Sequence, residues 1–194
     1  TLFLIPQELF TFPIKVVEYL EKNEINFIFW VPSIMANIAA LDLLRGVNLS
    51  LEFIIFAGEV MPVKTMNYFK SRFKNAVLAN LYGPTETTVD CAYYIVDRDF
   101  SDEESLPIGY PCKNTDVFLL DENDAPVTAQ NTLGELCVRG ASLALGYYND
   151  PVKTASAFTQ NPLNLAYPER IYRTGDLAYY NERGELMYKG RKDF

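Results

Sequence analysis

Hydrophobic and polar positions follow two different rhythms, one before residue 97 and one after it. In the first part, apolar residues recur at helical spacing in three stretches. Pro13 is placed to open a helix running to about Asn23, with Val16, Val17 and Leu20 on one face. Ser33 is placed to cap a second helix over 34–44, whose Met35, Ile38 and Leu41 share a face. A third helix over 63–73 turns Met66, Phe69 and Phe73 inward and Lys64, Lys70 and Lys74 outward. Continuous apolar runs separate them. Residues 1–6 read as a buried strand, 25–31 as a strand buried on both faces, and 53–57 and 77–82 as two more. Strands alternating with helices predict an α/β fold, a mostly parallel sheet with helices on its faces and right-handed crossovers.

After an acidic loop over 97–107 the pattern shortens. Strand-like runs at 115–120, 133–139, 177–180 and 186–189 are separated by turn sequences, Asp121-Glu122-Asn123-Asp124 and Asn181-Glu182-Arg183-Gly184. One short helix is predicted over 151–158. The prediction is an α/β part over 1–97, followed over 98–194 by a small antiparallel β unit, barrel-like or a sandwich. Neither end shows a start or a taper. The chain opens on an apolar run without Met and stops at Lys189-Gly190-Arg191-Lys192-Asp193-Phe194, the reading expected of a piece of a longer protein.

Composition narrows the chemistry. Of the 194 residues 49% are hydrophobic, enough for a real core. The chain has no histidine, which excludes Ser-His-Asp and Cys-His dyads, histidine bases and HExxH zinc sites. Cys91, Cys112 and Cys137 are scattered, without a CxxC pair, and read as reduced thiols of a cytoplasmic protein. With 17 Lys+Arg against 25 Asp+Glu the net charge is −8, and no basic run offers a nucleic-acid surface. The most apolar stretch, 25–44, is interrupted by Asn26, Pro32, Ser33, Asn37 and Asp42, which argues against a membrane span.

Three segments are too polar and glycine-rich for plain connections. Asn80-Leu81-Tyr82-Gly83-Pro84-Thr85-Glu86-Thr87-Thr88 follows a buried strand, so it sits at the carboxyl end of the sheet, where α/β proteins place ligands. Thr85 and Thr88 offer hydroxyls, Glu86 a hard oxygen suited to Mg²⁺, and Tyr82 a ring for stacking. The same residues also describe a tight turn whose hydroxyls satisfy the backbone. In Tyr172-Arg173-Thr174-Gly175-Asp176-Leu177, the Asp176 carboxylate matches the vicinal diol of a ribose, or caps its own hairpin turn. Gly134-Glu135-Leu136-Cys137-Val138-Arg139-Gly140, followed by Gly146-Tyr147-Tyr148, reads more simply as a strand entering a loop with glycines at positive φ. Neither GxxxxGK[ST] nor GxGxxG occurs.

Tyr82-Gly83-Pro84-Thr85-Glu86, Gly134-Glu135-Leu136 with Gly146-Tyr147, Tyr172-Arg173-Thr174-Gly175-Asp176-Leu177 and Gly190-Arg191-Lys192-Asp193, taken in that order and spacing, resemble the motifs of the adenylate-forming superfamily. The resemblance is to amino-acid adenylation domains of non-ribosomal peptide synthetases and to D-alanine–carrier protein ligases. Phe56-Ala57-Gly58-Glu59-Val60-Met61-Pro62 and the ending Asp193-Phe194 look most like the ligase branch, although Ala57 stands where that branch carries a cysteine. The resemblance implies that Tyr82 stacks on adenine, Asn80 bonds its edge, and the Gly58-Glu59-Val60 backbone flanks its other face. It makes Thr85 and Glu86 catalytic, Thr85 at the α-phosphate and Glu86 holding Mg²⁺. Asp176 would bind the ribose, helped by Arg191, with Tyr188 near the nucleotide. Trp30, Ile55, Ala57, Leu81 and Val89 would line the amino-acid pocket, and Asp90 would point to the opposite face unless a bulge turned it inward. Asp193 would be the hinge to a small C-terminal domain.

The implied activity uses ATP and Mg²⁺ to make an aminoacyl-adenylate and loads it onto the phosphopantetheine thiol of a carrier protein, with no nucleic-acid or membrane partner. The family's phosphate loop and ammonium-pairing Asp lie upstream of the motifs present, and its catalytic lysine lies downstream. Two alternatives remain open at this level: an acyl-CoA ligase of the same superfamily and a non-catalytic binding module.

Overall fold

A computed structural model describes residues 1–192, so the hinge expected at Asp193 lies outside the described residues. The chain divides into two compact units, Thr1–Asn80 with Ile95–Leu106, and Leu81–Tyr94 with Pro107–Phe194. The chain thus passes between them three times rather than once near residue 97.

The first unit alternates helices and strands as its periodicity predicts: α1 (Pro13–Lys22), β1 (Phe27–Trp30), α2 (Pro32–Ala40), β2 (Phe53–Phe56), α3 (Val63–Arg72) and the start of β3 (Val77–Tyr82). β2 lies between β1 and β3, parallel to both. Val16, Val17 and Leu20 of α1, Met35 and Ile38 of α2, and Met66 and Phe69 of α3 are buried as expected. α1 packs on α2 and α2 on α3.

Four expectations fail here, each for a local reason. Residues 1–6 form no strand: Pro6 lacks a donor and leads into a 3₁₀ turn over Gln7–Thr11, and Leu2 and Leu4 are exposed. β1 pairs only with β2 among the described residues, so its burial alternates and Phe27 and Phe29 stay half exposed. Ser33 does not cap α2, which begins a residue earlier at Pro32; its N–H and hydroxyl both donate to Glu59, at 2.8 and 3.1 Å. α2 also stops at Ala40, because Asp42 adopts φ 49° and the Leu43 N–H closes on Ile38 O, leaving Leu41 exposed.

The second unit is antiparallel: the short pair β4 (Ala92–Ile95) and β5 (Tyr110–Pro111), then β6 (Thr115–Leu120), β7 (Gly134–Gly140), α4 (Pro151–Ala157), β8 (Phe158–Gln160), β9 (Arg170–Tyr180) and β10 (Leu186–Arg191). The main sheet runs β10-β9-β7-β6, with β8 pairing on β9. Both anticipated turns are Asx turns. Asp121 Oδ1 accepts from the N–H groups of Asn123 and Ala125, and Asn181 Oδ1 from those of Arg183 and Glu185. Ile108, Leu119, Leu136, Val138, Ala178 and Leu186 form the core. Among the described residues no helix is long and apolar enough to cross a membrane.

Candidate functional site

The turn after β3 is shaped by close backbone approach. A Cβ on Gly83 would lie 2.0 Å from the Val89 carbonyl oxygen, so only glycine allows the loop to return on itself. The Cys91 N–H closes the loop on Tyr82 O at 2.8 Å. Inside it, Thr85–Thr87 make a 3₁₀ turn, and the buried Thr87 hydroxyl donates to Pro84 O. Thr88 and Val89 follow at φ 58° and 75°. A left-handed β-branched valine is a strained element of a kind that clusters at ligand sites, at about 1–3 kcal/mol.

A second segment grips this turn. Ala144 N–H donates to Glu86 O at 2.8 Å, and the Thr88 hydroxyl donates to Ser142 O at 2.7 Å. The Tyr147 hydroxyl donates to Glu86 Oε1 at 2.5 Å. Burial pushes the Glu86 carboxyl up, but the Tyr147 hydroxyl, the local backbone, Tyr172 and Lys153 outweigh it, so the group titrates below its ordinary value. Burial and then Glu86 push the Tyr147 hydroxyl up, against a lowering contact from Tyr172, while burial and then Tyr147 and Glu86 push Tyr172 up, so both remain protonated donors.

Asp176 stands on β9, and here the anticipated hairpin turn is replaced. Residues 172–177 lie inside an eleven-residue strand, at a bulge where the register against β7 shifts between Glu135 and Cys137. Gly175 takes φ 70°, and the buried Thr174 hydroxyl donates to Leu136 O while accepting from the Asp176 N–H. The bulge turns Asp176 toward Tyr82, whose hydroxyl donates to its Oδ2. Arg191 Nη1 donates to Asp176 Oδ1 at 3.2 Å and to Thr174 O at 3.0 Å. Burial, then the Asp176 carboxylate, pushes the Tyr82 hydroxyl far up and keeps it protonated. The Tyr188 ring lies 6.2 Å from that of Tyr82, centroid to centroid. A carboxylate has about four lone-pair sites, so the two bonds made here leave room for two hydroxyls.

The structure therefore brings Tyr82, Thr85, Glu86, Asp176, Tyr188 and Arg191 into one unit. Gly58, Glu59, Val60 and Asn80 belong to the other; the Glu59 carboxylate is held by Ser33 there, and Asn80 is buried at the end of its share of β3.

The expected pocket residues are more divided. Leu81 and Val89 fall in the second unit and Trp30, Ile55 and Ala57 in the first. The parallel register opposes Phe29 to Ile55 and Trp30 to Phe56, so Phe29 shares the Ile55 face and Trp30 takes the other. Phe29 and Trp30 both line a groove of about 550 Å³ with residues 1–5. Val89 is exposed, whereas Asp90 is half buried with an Oδ1 that has no hydrogen-bond partner among the described residues, and burial pushes its carboxyl up. The left-handed pair at 88–89 reverses the alternation expected of an extended strand.

The donor set fits one hard divalent cation shared with a substrate. Glu86 is a single carboxylate with one oxygen held by Tyr147, Thr85 is exposed beside it, and no cluster of three acidic or cysteine ligands occurs among the described residues. Mg²⁺ keeps most of its waters and takes one or two carboxylates plus phosphate oxygens, so such a set suffices. Tyr147, Tyr172 and Lys153 were not among the expected site residues, although Gly146-Tyr147 stood in a recognised motif.

Comparison with known proteins places the chain in a family. Zwittermicin A synthase ZmaJ of Bacillus cereus is 38% identical over 191 residues, covering 94% of this chain and 35% of that protein. The D-alanine--D-alanyl carrier protein ligase of Lacticaseibacillus casei (strain BL23) is 42% identical over 141 residues, 72% of this chain and 27% of the ligase. Among solved structures, CmiS6 superposes with a TM-score of 0.87 at 29% identity, covering 96% of this chain and 45% of that one. PA1221, an NRPS protein containing adenylation and PCP domains, superposes at 0.81 with 31% identity, over 92% and 36%. The chain thus spans 35% of the length of the first of these relatives and 27% of the second. The family model of AMP-binding enzymes matches residues 1–148, well over half of the chain, and the chain belongs to that family.

Proposed function

We propose that this chain carries the nucleotide-holding part of a ligase that activates an amino acid with ATP and loads it onto a carrier protein. The observation that carries the reading is the convergence of Tyr82, Asp176 and Arg191 with a strained turn that presents Thr85 and Glu86. Asp176 accepts the two ribose hydroxyls, its orientation fixed by the Tyr82 hydroxyl and Arg191. The Tyr82 ring lies against adenine, with Tyr188 beside it. Thr85 donates its hydroxyl to the α-phosphate and Glu86 holds Mg²⁺. The bound ion supplies positive charge that offsets the charge developing on the phosphates. The amino-acid carboxylate attacks the α-phosphorus, pyrophosphate departs, and the aminoacyl-AMP then gives its acyl group to the carrier's phosphopantetheine thiol, releasing AMP. Asp193 serves as the hinge between the two half-reactions.

The names of the ligase relative and of the adenylation–PCP neighbour support a carrier-protein partner. For the substrate, Phe29, Ile55 and Ala57 on one face favour a small or medium uncharged side chain such as alanine or valine, since a buried charge there would cost several kcal/mol. The orphan oxygen of Asp90 favours a second reading, a hydroxylated or basic side chain. Pyrophosphate exchange by the full-length protein, run with an amino-acid panel and with fatty acids, tests both. Exchange with fatty acids would support the acyl-CoA ligase instead, and none with any acid a binding module. The 194-residue chain alone is expected to give no exchange, because the phosphate-loop and lysine motifs of the family are not in its sequence.

A further inference from the structure

We infer that Tyr147 is the positioning residue of Glu86, holding its carboxylate in one orientation for the metal ion; this rests on the reading of Glu86 as the metal ligand. Glu86 is gripped at two points by one loop. Ala144 N–H holds its carbonyl oxygen and the Tyr147 hydroxyl holds its Oε1. A glutamate with three free torsions on a half-exposed turn would otherwise sample many rotamers.

Tyr147 is itself fixed from several sides. Its N–H donates to Thr154 Oγ1 at 2.9 Å, and Thr154 Oγ1 donates to Asp150 O at 2.8 Å. Asp150 caps α4 by accepting from the Lys153 N–H. Gly146 leaves room for this contact, since a Cβ there would lie 2.4 Å from Thr154 Cγ2. The Lys153 ammonium lies 4.2 Å from the centre of the Tyr147 ring, and Phe158 meets the ring edge-on at 5.8 Å. The first turn of α4 thus sets the ring, the ring sets the hydroxyl, and the hydroxyl sets Oε1, leaving Oε2 for the cation. Tyr147 touches neither nucleotide nor metal in this arrangement.

The test is calorimetric titration of the full-length protein with α,β-methylene-ATP, in EDTA and in saturating Mg²⁺. The readout is the gain in nucleotide affinity that Mg²⁺ brings. Tyr147→Phe should reduce that gain about tenfold, equivalent to about 1.4 kcal/mol, and leave the affinity in EDTA unchanged. A purely structural role would lower both affinities together, and that result would overturn the inference. Glu86→Gln separates the two levels. If it loses the gain while Tyr147→Phe keeps it, the positioning role is wrong and the metal-ligand reading stands. If Glu86→Gln keeps the gain, both are wrong. Should Tyr147→Phe fail to fold, Thr154→Val, which removes the acceptor of the Tyr147 N–H and leaves the hydroxyl and the nearby charges in place, should reduce the gain two- to threefold, and an unchanged gain would overturn the inference.

Discussion

Replacing Asp176 with Asn keeps the size of the side chain and removes its charge. In the native site Asp176 is 7% exposed, and its carboxylate accepts from the Tyr82 hydroxyl and from Arg191. The Arg191 partner is 47% exposed, so screening reduces the direct loss of that pair to about 0.2–1 kcal/mol, and folding should survive. The nucleotide loses more. A hydrogen bond to a charged group contributes about 1.5–3 kcal/mol and one between neutral groups about 0.5–1.5, so two ribose hydroxyls lose together about 2 kcal/mol. That is roughly a thirtyfold rise in the KM for ATP. The assay is pyrophosphate exchange by the full-length protein with ATP, 2′-deoxy-ATP and 3′-deoxy-ATP. The native protein should discriminate against both deoxy nucleotides, and Asp176→Asn should lose most of that discrimination. A variant that still discriminates as the native protein does would show that the ribose hydroxyls bind elsewhere, whatever happens to KM.

Gly83→Ala should be among the most damaging single changes. The added Cβ meets backbone atoms of Val89, Asp90 and Cys91 at 2.0–2.7 Å, so the turn itself must open at a cost of about 1–3 kcal/mol or more, read as a loss of Tm together with loss of exchange. Phe29→Ala should shift the amino-acid preference toward larger apolar side chains and Trp30→Ala should not, because the register places only Phe29 on the Ile55 face; the opposite outcome in the amino-acid panel would reassign the pocket. Tyr82 has a folded-state pKa raised above its unfolded value, so its contribution is fully present below about pH 10 and declines as pH rises beyond that. Chemical denaturation followed across the alkaline range should show this decline, and Tyr82→Phe should make it shallower.

Periodicity made the helices and central strands legible because each buries one face against its immediate neighbours. α1 and β3 fall where the apolar spacing puts them, and β6 matches over its whole length. The pattern failed where a partner decides. The run 25–31 looks buried on both faces, yet β1 pairs on one side only among the described residues, and composition cannot show which side of a strand is occupied. Likewise Thr174-Gly175-Asp176 has the residues of a hairpin turn. It becomes a bulge because β7 supplies Leu136 O and Glu135 as its partners, some forty residues earlier in the chain.

The same division runs through the site. Its residue types were legible because their chemistry is local: a hard oxygen on a tight turn, a carboxylate after a glycine, a ring beside both. What holds those groups was not, since it depends on sequence-distant contacts, Tyr82 on Asp176 and Tyr147 on Glu86, separated by 94 and 61 residues. Each contact ties a carboxylate of the candidate site to a phenol kept protonated by burial. A phenol suits that task because it donates one bond in a fixed plane and carries no charge that would compete with an arginine or a cation for the carboxylate. The end of β3 and the turn after it hold two of the four partners, Tyr82 and Glu86, and the turn carries two left-handed residues, Thr88 and Val89. Strain in the turn and satisfaction of its hydrogen bonds by the surrounding sheet are therefore two sides of one arrangement, in which the sheet supplies the stability that a free turn would lack.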